Sequence, residues 1–385
     1  MLNLELQIMK KPETLLLVAD SDHDANMLYA VGMFVPDPFI YFNAGNRRYL
    51  VMSDLEIDRA RKQTRGCHIL PLSSYQKKLR CNGVKSPGLA EVLPCVLRQK
   101  GIRRVAVPFD FPHGLAVQLQ RNRISVTSKA GNFFPERELK SADEVRKLSA
   151  ALAMAEVGMA EAMQALRATK IGKDRRLIYR NAPLTSEKLR AIIDTAIVQM
   201  NGSAKHTIVA GGNQACDPHE AGYGPLHSNE PIIIDIFPRS QKTGYFGDIT
   251  RTVVRGRASE AIRKLYATVL NGQQIAFDKM RAGVPTFKVH EAVQELFIRE
   301  GYKTGKRDGR MQGFFHGTGH GLGLEIHESP RMGPHSIGEL KPGQVITVEP
   351  GLYYHGLGGV RLEDVAVVTE KSPRNLTRFE KVLEI

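Results

Sequence analysis

At 385 residues the chain exceeds what one core usually organises, so two domains are expected. Its 42% hydrophobic and 24% charged residues are those of an ordinary globular protein, and no run approaches the roughly 18 apolar residues of a membrane span, so no membrane partner is expected. The net charge of +14 is denser in the first 150 residues but dispersed and not interleaved with aromatics, which favours a solvated basic face over a nucleic-acid surface. The four cysteines, Cys67, Cys81, Cys95 and Cys216, form no CxxC pair, and no basic stretch precedes a long apolar one at the N-terminus. Both observations fit a cytoplasmic protein without a secretory leader.

In chain order, ETLLLVAD, FIYF, RYLVM, CHILPL and RRVAVPFD read as strands bounded by Asp, Gly and Pro, with SDLEIDRARKQ and GLAEVLPCVLRQKG as helices between them. That alternation implies an α/β domain ending near residue 135. A long helix follows, opened by a Ser141 and Glu144 capping box and striped by Val145, Leu148, Leu152 and Met159. Beyond it the pattern predicts a helix around 186–200, a strand at 206–211, a hairpin at 231–254, and helices near 259–281 and 286–300. The second of these opens on Thr286 and stops at Gly301. Strands at 344–350 and 360–368 complete a part that is α+β, with strands in pairs and helices between them.

Acidic residues sit where apolar strands leave little water. Asp235 lies in PIIIDIF, flanked by Ile232, Ile233, Ile234 and Ile236, and an unpaired carboxylate there costs several kcal/mol or more unless it is neutralised, paired or metal-bound. The chain returns after RSQKTG as YFGDITRTVV, bringing Asp248 toward the same face of the hairpin. Glu349 ends the apolar strand QVITVEPG, and Glu363 is expected within the strand GGVRLEDVAVV. Taken singly, each acid reads as an edge-strand or salt-bridged residue, with Arg251 and Arg361 nearby in sequence. Four together with a histidine read as a site for two divalent cations, whose four positive charges the carboxylates would neutralise. A donor set of carboxylate and imidazole without thiolate suits manganese, cobalt, iron or zinc.

The segment HGTGHGLGLEIHE, residues 316–328, places His316, His320 and His327 in a glycine run. It fits neither GxGxxG nor HExxH. What remains is a strand or loop in which glycines permit close approach and histidines face a site.

In order, GDITRT, TGHGLGLEIHE, VEPGLY and VRLEDVAVVTE resemble the pita-bread metallopeptidases of the prolidase and aminopeptidase P group, over roughly residues 140–370. The N-terminal part resembles the creatinase-type N-terminal domain of that group. The resemblance implies a smaller α/β creatinase-type domain at 1–137 and an α+β pita-bread (creatinase/aminopeptidase) catalytic domain at 138–385. It implies two divalent metal ions, manganese first, with cobalt, zinc and iron also accepted. Asp235, Asp248, His320, Glu349 and Glu363 match the metal ligands, with Asp248 and Glu363 bridging. His219, in DPHEAGYG, and His327 match groups that contact substrate and stabilise the developing oxyanion, His316 matches a position near the proline-binding pocket, and Arg361 matches one that touches substrate or supports the ligands; of the carboxylates, Glu349 is the one expected to accept the proton. The implied reaction is hydrolysis of Xaa-Pro peptide bonds by a metal-bridging hydroxide, in a homodimer acting on peptides with proline in the second position. Three other readings are weighed beside it: a pita-bread binding module without catalysis, a metallohydrolase of the same fold with a non-proline substrate, and a metal-free enzyme of creatinase type. The sequence departs from the family pattern in reading Asp235-Ile236-Phe237-Pro238 where Asp-Leu-Gly is usual. It also separates Asp235 from Asp248 by thirteen positions where eleven is common, an insertion that preserves strand parity.

Overall fold

The computed structural model describes residues 14–64 and 66–385. Residues 1–13, on which most of the expected leader-free N-terminus and the first residue of the ETLLLVAD strand fall, lie outside them. The chain divides into two compact units, Met1–Pro135 and Glu136–Ile385.

In the first unit, β1 (Leu16–Ala19), β2 (Phe39–Ala44), β3 (Arg47–Met52) and β4 (Cys67–Pro71) form one sheet in that order, antiparallel except for the parallel β3–β4 pair. A parallel pair, β5 (Arg104–Val107) and β6 (Ser125–Ser128), adjoins β1 through the Leu15–Ala106 bridge. The central stretches of β1, β2 and β3 are apolar because both faces of the sheet are covered there. Leu16, Ile40, Phe42 and Val51 pack with Val92 and Val96 of one helix, while Leu17, Tyr41 and Leu50 pack with Met27 and Val31 of another. Three helices escape the sequence pattern: α1 (Ala25–Val31), α3 (Leu72–Cys81) and α5 (His113–Arg121), which join α2 (Ile57–Gln63) and α4 (Leu89–Gln99). The first is two turns long and is defined by its caps, with the Asp24 side chain accepting from the Met27 N–H and Gly32 in the left-handed region. The second takes Leu72, expected as the last residue of a strand, into its first turn.

The second unit opens with α6 (Ala142–Arg167), whose capping box is formed by Ser141 and Glu144. It packs on α7 (Ser186–Gln199), where Gly158 brings the two backbones close beneath Ile193 and Ile197. Strands β7 (Ile208–Gly211), β8 (Pro231–Ile236) and β9 (Ile249–Val254) form an antiparallel sheet. After α8 (Glu260–Lys279) and α9 (Thr286–Arg299) come β10 (Gly319–Gly321), β11 (Glu328–Met332) and β12 (Val345–Val348). Strands β13 (Gly351–Tyr354) and β14 (Gly358–Arg361) pair as a hairpin, and β15 (Asp364–Val367) and β16 (Arg374–Asn375) complete a five-stranded sheet of order β11-β10-β12-β15-β16. Val269, Val293 and Phe297 of α8 and α9 pack against Ile346, Val348, Leu352, Val360 and Ala366.

The strand expected at 360–368 is two strands. Residues up to Arg361 pair with β13, whereas those from Asp364 pair with β12, so the chain changes sheet between them and Glu363 stands at the break. Among the described residues no helix is long and apolar enough to cross a membrane.

Candidate functional site

The β8–β9 register sets the first two acids. Asp235 lies opposite Thr250, and Asp248 lies two residues before Thr250, so strand alternation puts both carboxylates on one face. The turn that delivers Asp248 is pressed against α6: any side chain at Gly247 would overlap the Ala151 carbonyl.

The glycine run is explained by the strands on either side of it. A Cβ at Gly319 would overlap the carbonyl of Thr347, and one at Gly321 the carbonyl of Ser329. The glycines therefore occupy the crowded face of β10. His320, between them, has its N–H held by Thr347 Oγ1 at 3.0 Å. Its Nδ1 lies 3.1 Å from the Gly321 carbonyl, which can only accept, so the proton belongs on Nδ1 and the Nε2 lone pair is turned inward. Nε2 stands 3.2 Å from Glu349 Oε1 and 3.8 Å from Asp248 Oδ2. Two acceptors facing each other at such distances require a proton or a cation between them.

Glu349 follows β12, with its N–H donating to the Thr318 carbonyl at 2.8 Å. Glu363 is fixed by two bonds to one residue: its N–H donates to the Thr250 carbonyl at 3.0 Å, and Thr250 Oγ1 donates to its Oε2 at 2.8 Å. Asp248, His320 and Glu363 are all buried. One ligand atom from each lies within 4.8 Å of those of the other two.

Burial, and then the charges of Glu363, Asp235 and Glu349, push the Asp248 carboxyl well above its usual range. Burial and the charges of Glu349 and Asp235 do the same to Glu363. Burial acts on Glu349 in the same sense, but when Nε2 of His320 also carries a proton, its hydrogen bond and charge outweigh burial and hold that carboxyl at about 2. Like charges about 4 Å apart repel by about 4 kcal/mol in a partly screened interior, so this set cannot be fully ionised on its own. It also leaves one orphan: Asp235 Oδ2 accepts from Arg361 at 2.7 Å, while Oδ1 is buried without a hydrogen-bond partner among the described residues. Clustered acids, an inward-facing imidazole nitrogen and an unpartnered carboxylate oxygen are what divalent cations of the manganese-to-zinc range bind.

All nine candidate residues line one cleft of about 1250 Å³, built from residues of the second unit alone. His327 is exposed, its ring edge-on to His320 at 4.5 Å between centroids, and burial of part of the ring together with His320 brings it down to about 4. His219 is also exposed. His316 is half-buried, with Nδ1 at 2.7 Å from the Gly317 carbonyl and Nε2 at 2.9 Å from the Tyr353 hydroxyl; burial lowers its pKa. Arg361 Nη1 donates to the same hydroxyl at 3.0 Å, so His316, Tyr353, Arg361 and Asp235 form a continuous chain of hydrogen bonds.

Several participants are absent from the sequence reading. Thr250 could have been found, because it shares the face of Asp248 at a spacing of two. Tyr353 carries no local signal. Nor do Arg137 and Lys140, which pair with the Glu328 carboxylate beside His327 at 2.5 and 2.8 Å from nearly two hundred residues away.

Comparison with known proteins places this geometry. The sequence model of metallopeptidase family M24 matches residues 146–370. The Xaa-Pro dipeptidase of Pyrococcus furiosus is 34% identical over 191 residues, 49% of this chain and 52% of that protein, so the match spans about half the relative's length. The Xaa-Pro dipeptidase of Pyrococcus horikoshii is 28% identical over 290 residues, covering 74% and 76% of the two chains. The crystal structure of an X-Pro aminopeptidase from Thermotoga maritima superposes with a TM-score of 0.80 at 22% identity, covering 97% of each chain. At that identity the likeness establishes the fold, an α+β pita-bread unit preceded by a smaller α/β unit.

Proposed function

The chain belongs to metallopeptidase family M24, and from that premise we propose that it hydrolyses Xaa-Pro peptide bonds at a pair of divalent cations held by Asp235, Asp248, His320, Glu349 and Glu363. The observation that carries the metal site is the convergence of Asp248, Glu349 and Glu363 on His320, with Asp235 Oδ1 in the same cleft buried without a hydrogen-bond partner among the described residues. The proline preference is supported by the named activities of the relatives at 34% and 28% identity. Manganese is the cation proposed first, on the hard oxygen and imidazole donor set.

Cations bound there would bring the pKa of water toward neutrality and polarise the scissile carbonyl. The protein's own groups supply the rest. Asp248 and Glu363, carboxyls that cannot both be charged unaided, would help hold the cations, whose positive charge would allow both to ionise. Glu349, held ionised beside His320, accepts the proton of the attacking water and passes it toward the leaving nitrogen. His327, kept neutral at pH 7 by its low pKa, donates a hydrogen bond where negative charge develops on the carbonyl oxygen, with His219 lining the same cleft. His316 and Arg361 border the space for the proline ring, whose imide nitrogen has no N–H to offer.

The test uses matched Xaa-Pro and Xaa-Pro-Yaa peptides, with chelator-stripped enzyme and after manganese is restored. Manganese-dependent release of the N-terminal residue is expected, and the preferred peptide length separates a dipeptidase from an aminopeptidase. His320→Ala should lose both activity and bound metal while keeping its circular dichroism. Full activity in that variant would remove His320 from the ligand set. Folded, metal-loaded enzyme that cleaves neither peptide would rule out the proline specificity.

A further inference from the structure

Arg251 is among the largest side chains to be wholly enclosed, and all five of its donors are used. Nη1 donates to the Glu363 and Thr250 carbonyls at 2.6 and 2.9 Å, Nη2 to Asp364 Oδ1 and the Phe379 carbonyl at 2.9 and 2.7 Å, and Nε to the Glu380 carbonyl at 3.0 Å. Asp364 is gripped from its other oxygen by Asn375 Nδ2 at 2.8 Å and by the Lys381 ammonium. Three stretches meet here: β9, the break at 362–363 between β14 and β15, and residues 374–381. By strand alternation Arg251 points away from the face that carries Asp248 and Thr250.

A buried guanidinium is costly unless fully paired, so an apolar side chain would serve stability as well or better. What the arginine adds is geometry. Glu363 stands between two strands that belong to different sheets, where regular ladder bonds do not fix its backbone. The residues that hold it are Thr250, through the N–H and the carboxylate, and Arg251, through the carbonyl. The same arginine also binds the Thr250 carbonyl, which accepts the Glu363 N–H.

We propose that Arg251, Asp364 and the 374–381 segment are a positioning assembly that sets the Glu363 carboxylate for cation binding. The proposal rests on the reading of Glu363 as a metal ligand. The 374–381 segment, which contributes no side chain to the cleft, thereby acts on metal affinity from the far face of the sheet.

Calorimetric titration of the stripped full chain with Mn²⁺ alone tests it, with far-ultraviolet circular dichroism as the folding control. Arg251→Lys keeps the charge but cannot reach five acceptors, and its Kd for Mn²⁺ should rise by about 10- to 100-fold, as for other groups that orient metal ligands. Lys381→Met, at the edge of the assembly, should give a smaller rise. Arg255→Met removes an arginine that ties β9 to the Ile385 and Leu166 carbonyls without touching Thr250 or Glu363, so it should lower the melting temperature and leave Kd unchanged. A folded Arg251→Lys with wild-type Kd overturns the proposal. If that variant does not fold, Lys381→Met decides: an unchanged Kd overturns the assembly and a raised one supports it. Wild-type protein that takes up no Mn²⁺ would overturn the metal site itself, an outcome distinct from failure of the positioning role.

Discussion

Glu328 shows how one side chain beside the site can stabilise the loop that carries a functional group. Its carboxylate fills the turn at 323–328, accepting from the Leu324 and Glu325 N–H groups at 3.0 and 3.2 Å while pairing with Arg137 and Lys140. Burial alone would raise its pKa, but Lys140 and Arg137 outweigh burial and depress it below its ordinary 4.5; Glu325, on Arg137 at 2.8 Å, competes for the same cation. A carboxyl whose pKa is lower folded than unfolded contributes its stability above the unfolded value and loses it as pH falls through the folded value. The difference in unfolding free energy between wild type and Glu328→Gln should therefore be flat from pH 7 to about 5 and shrink below about 4.5, toward the folded pKa. Chemical denaturation at stepped pH reads it. A difference that grows on acidification would mean that the cations do not govern this carboxyl.

Among the elements, β10 is the most constrained, and it shows where sequence is informative. Alternating glycines announced a strand or loop in which something approaches closely, and the structure makes it a strand, with the carbonyls of Thr347 and Ser329 as the close neighbours. Gly319→Ala must push β10 away from β12 and carry His320 with it. Overpacking of this kind costs about 1–3 kcal/mol, so the expectation is a lower denaturation midpoint together with weaker Mn²⁺ binding. Lower stability with unchanged metal affinity would mean that β10 relaxes without moving His320. The acids were legible for the same local reason, since a charge in an isoleucine run is conspicuous wherever it occurs, as at Asp235. The break that isolates Glu363 was not, because it depends on which strand lies beside Arg361 and which beside Asp364, and no window of sequence holds both partners. Helices such as α1 and α3 escaped because a two-turn helix, or one that starts directly after a strand, shows too few periods to separate from its flanks. The hydrogen bonds of Tyr353 and the cations on Glu328 join residues that only the closed fold brings together.

At the scale of the whole molecule, the first unit buries its own two-faced sheet, whereas the second encloses acids that repel one another. Its folded state is therefore the one that cations should stabilise. Ligand that binds the folded chain alone adds about 2.7 kcal/mol at a hundredfold excess over Kd, which for a unit of this size corresponds to about 5–10 °C in Tm. The direction follows from Asp248 and Glu363, whose proton affinity burial and the neighbouring acids raise, so metal uptake should compete with protons and strengthen as pH rises. The effect should be local. The four acids hang on β8, β9, β12 and the 362–363 break, so amide exchange on adding Mn²⁺ should slow at 249–254, 345–348 and 364–367 and stay unchanged at 16–19 and 39–44. Protection that rose equally in both units would indicate nonspecific binding to a cation-rich protein. A Tm unmoved by Mn²⁺ would mean that the clustered carboxylates are satisfied by protons, and that the site requires another ion.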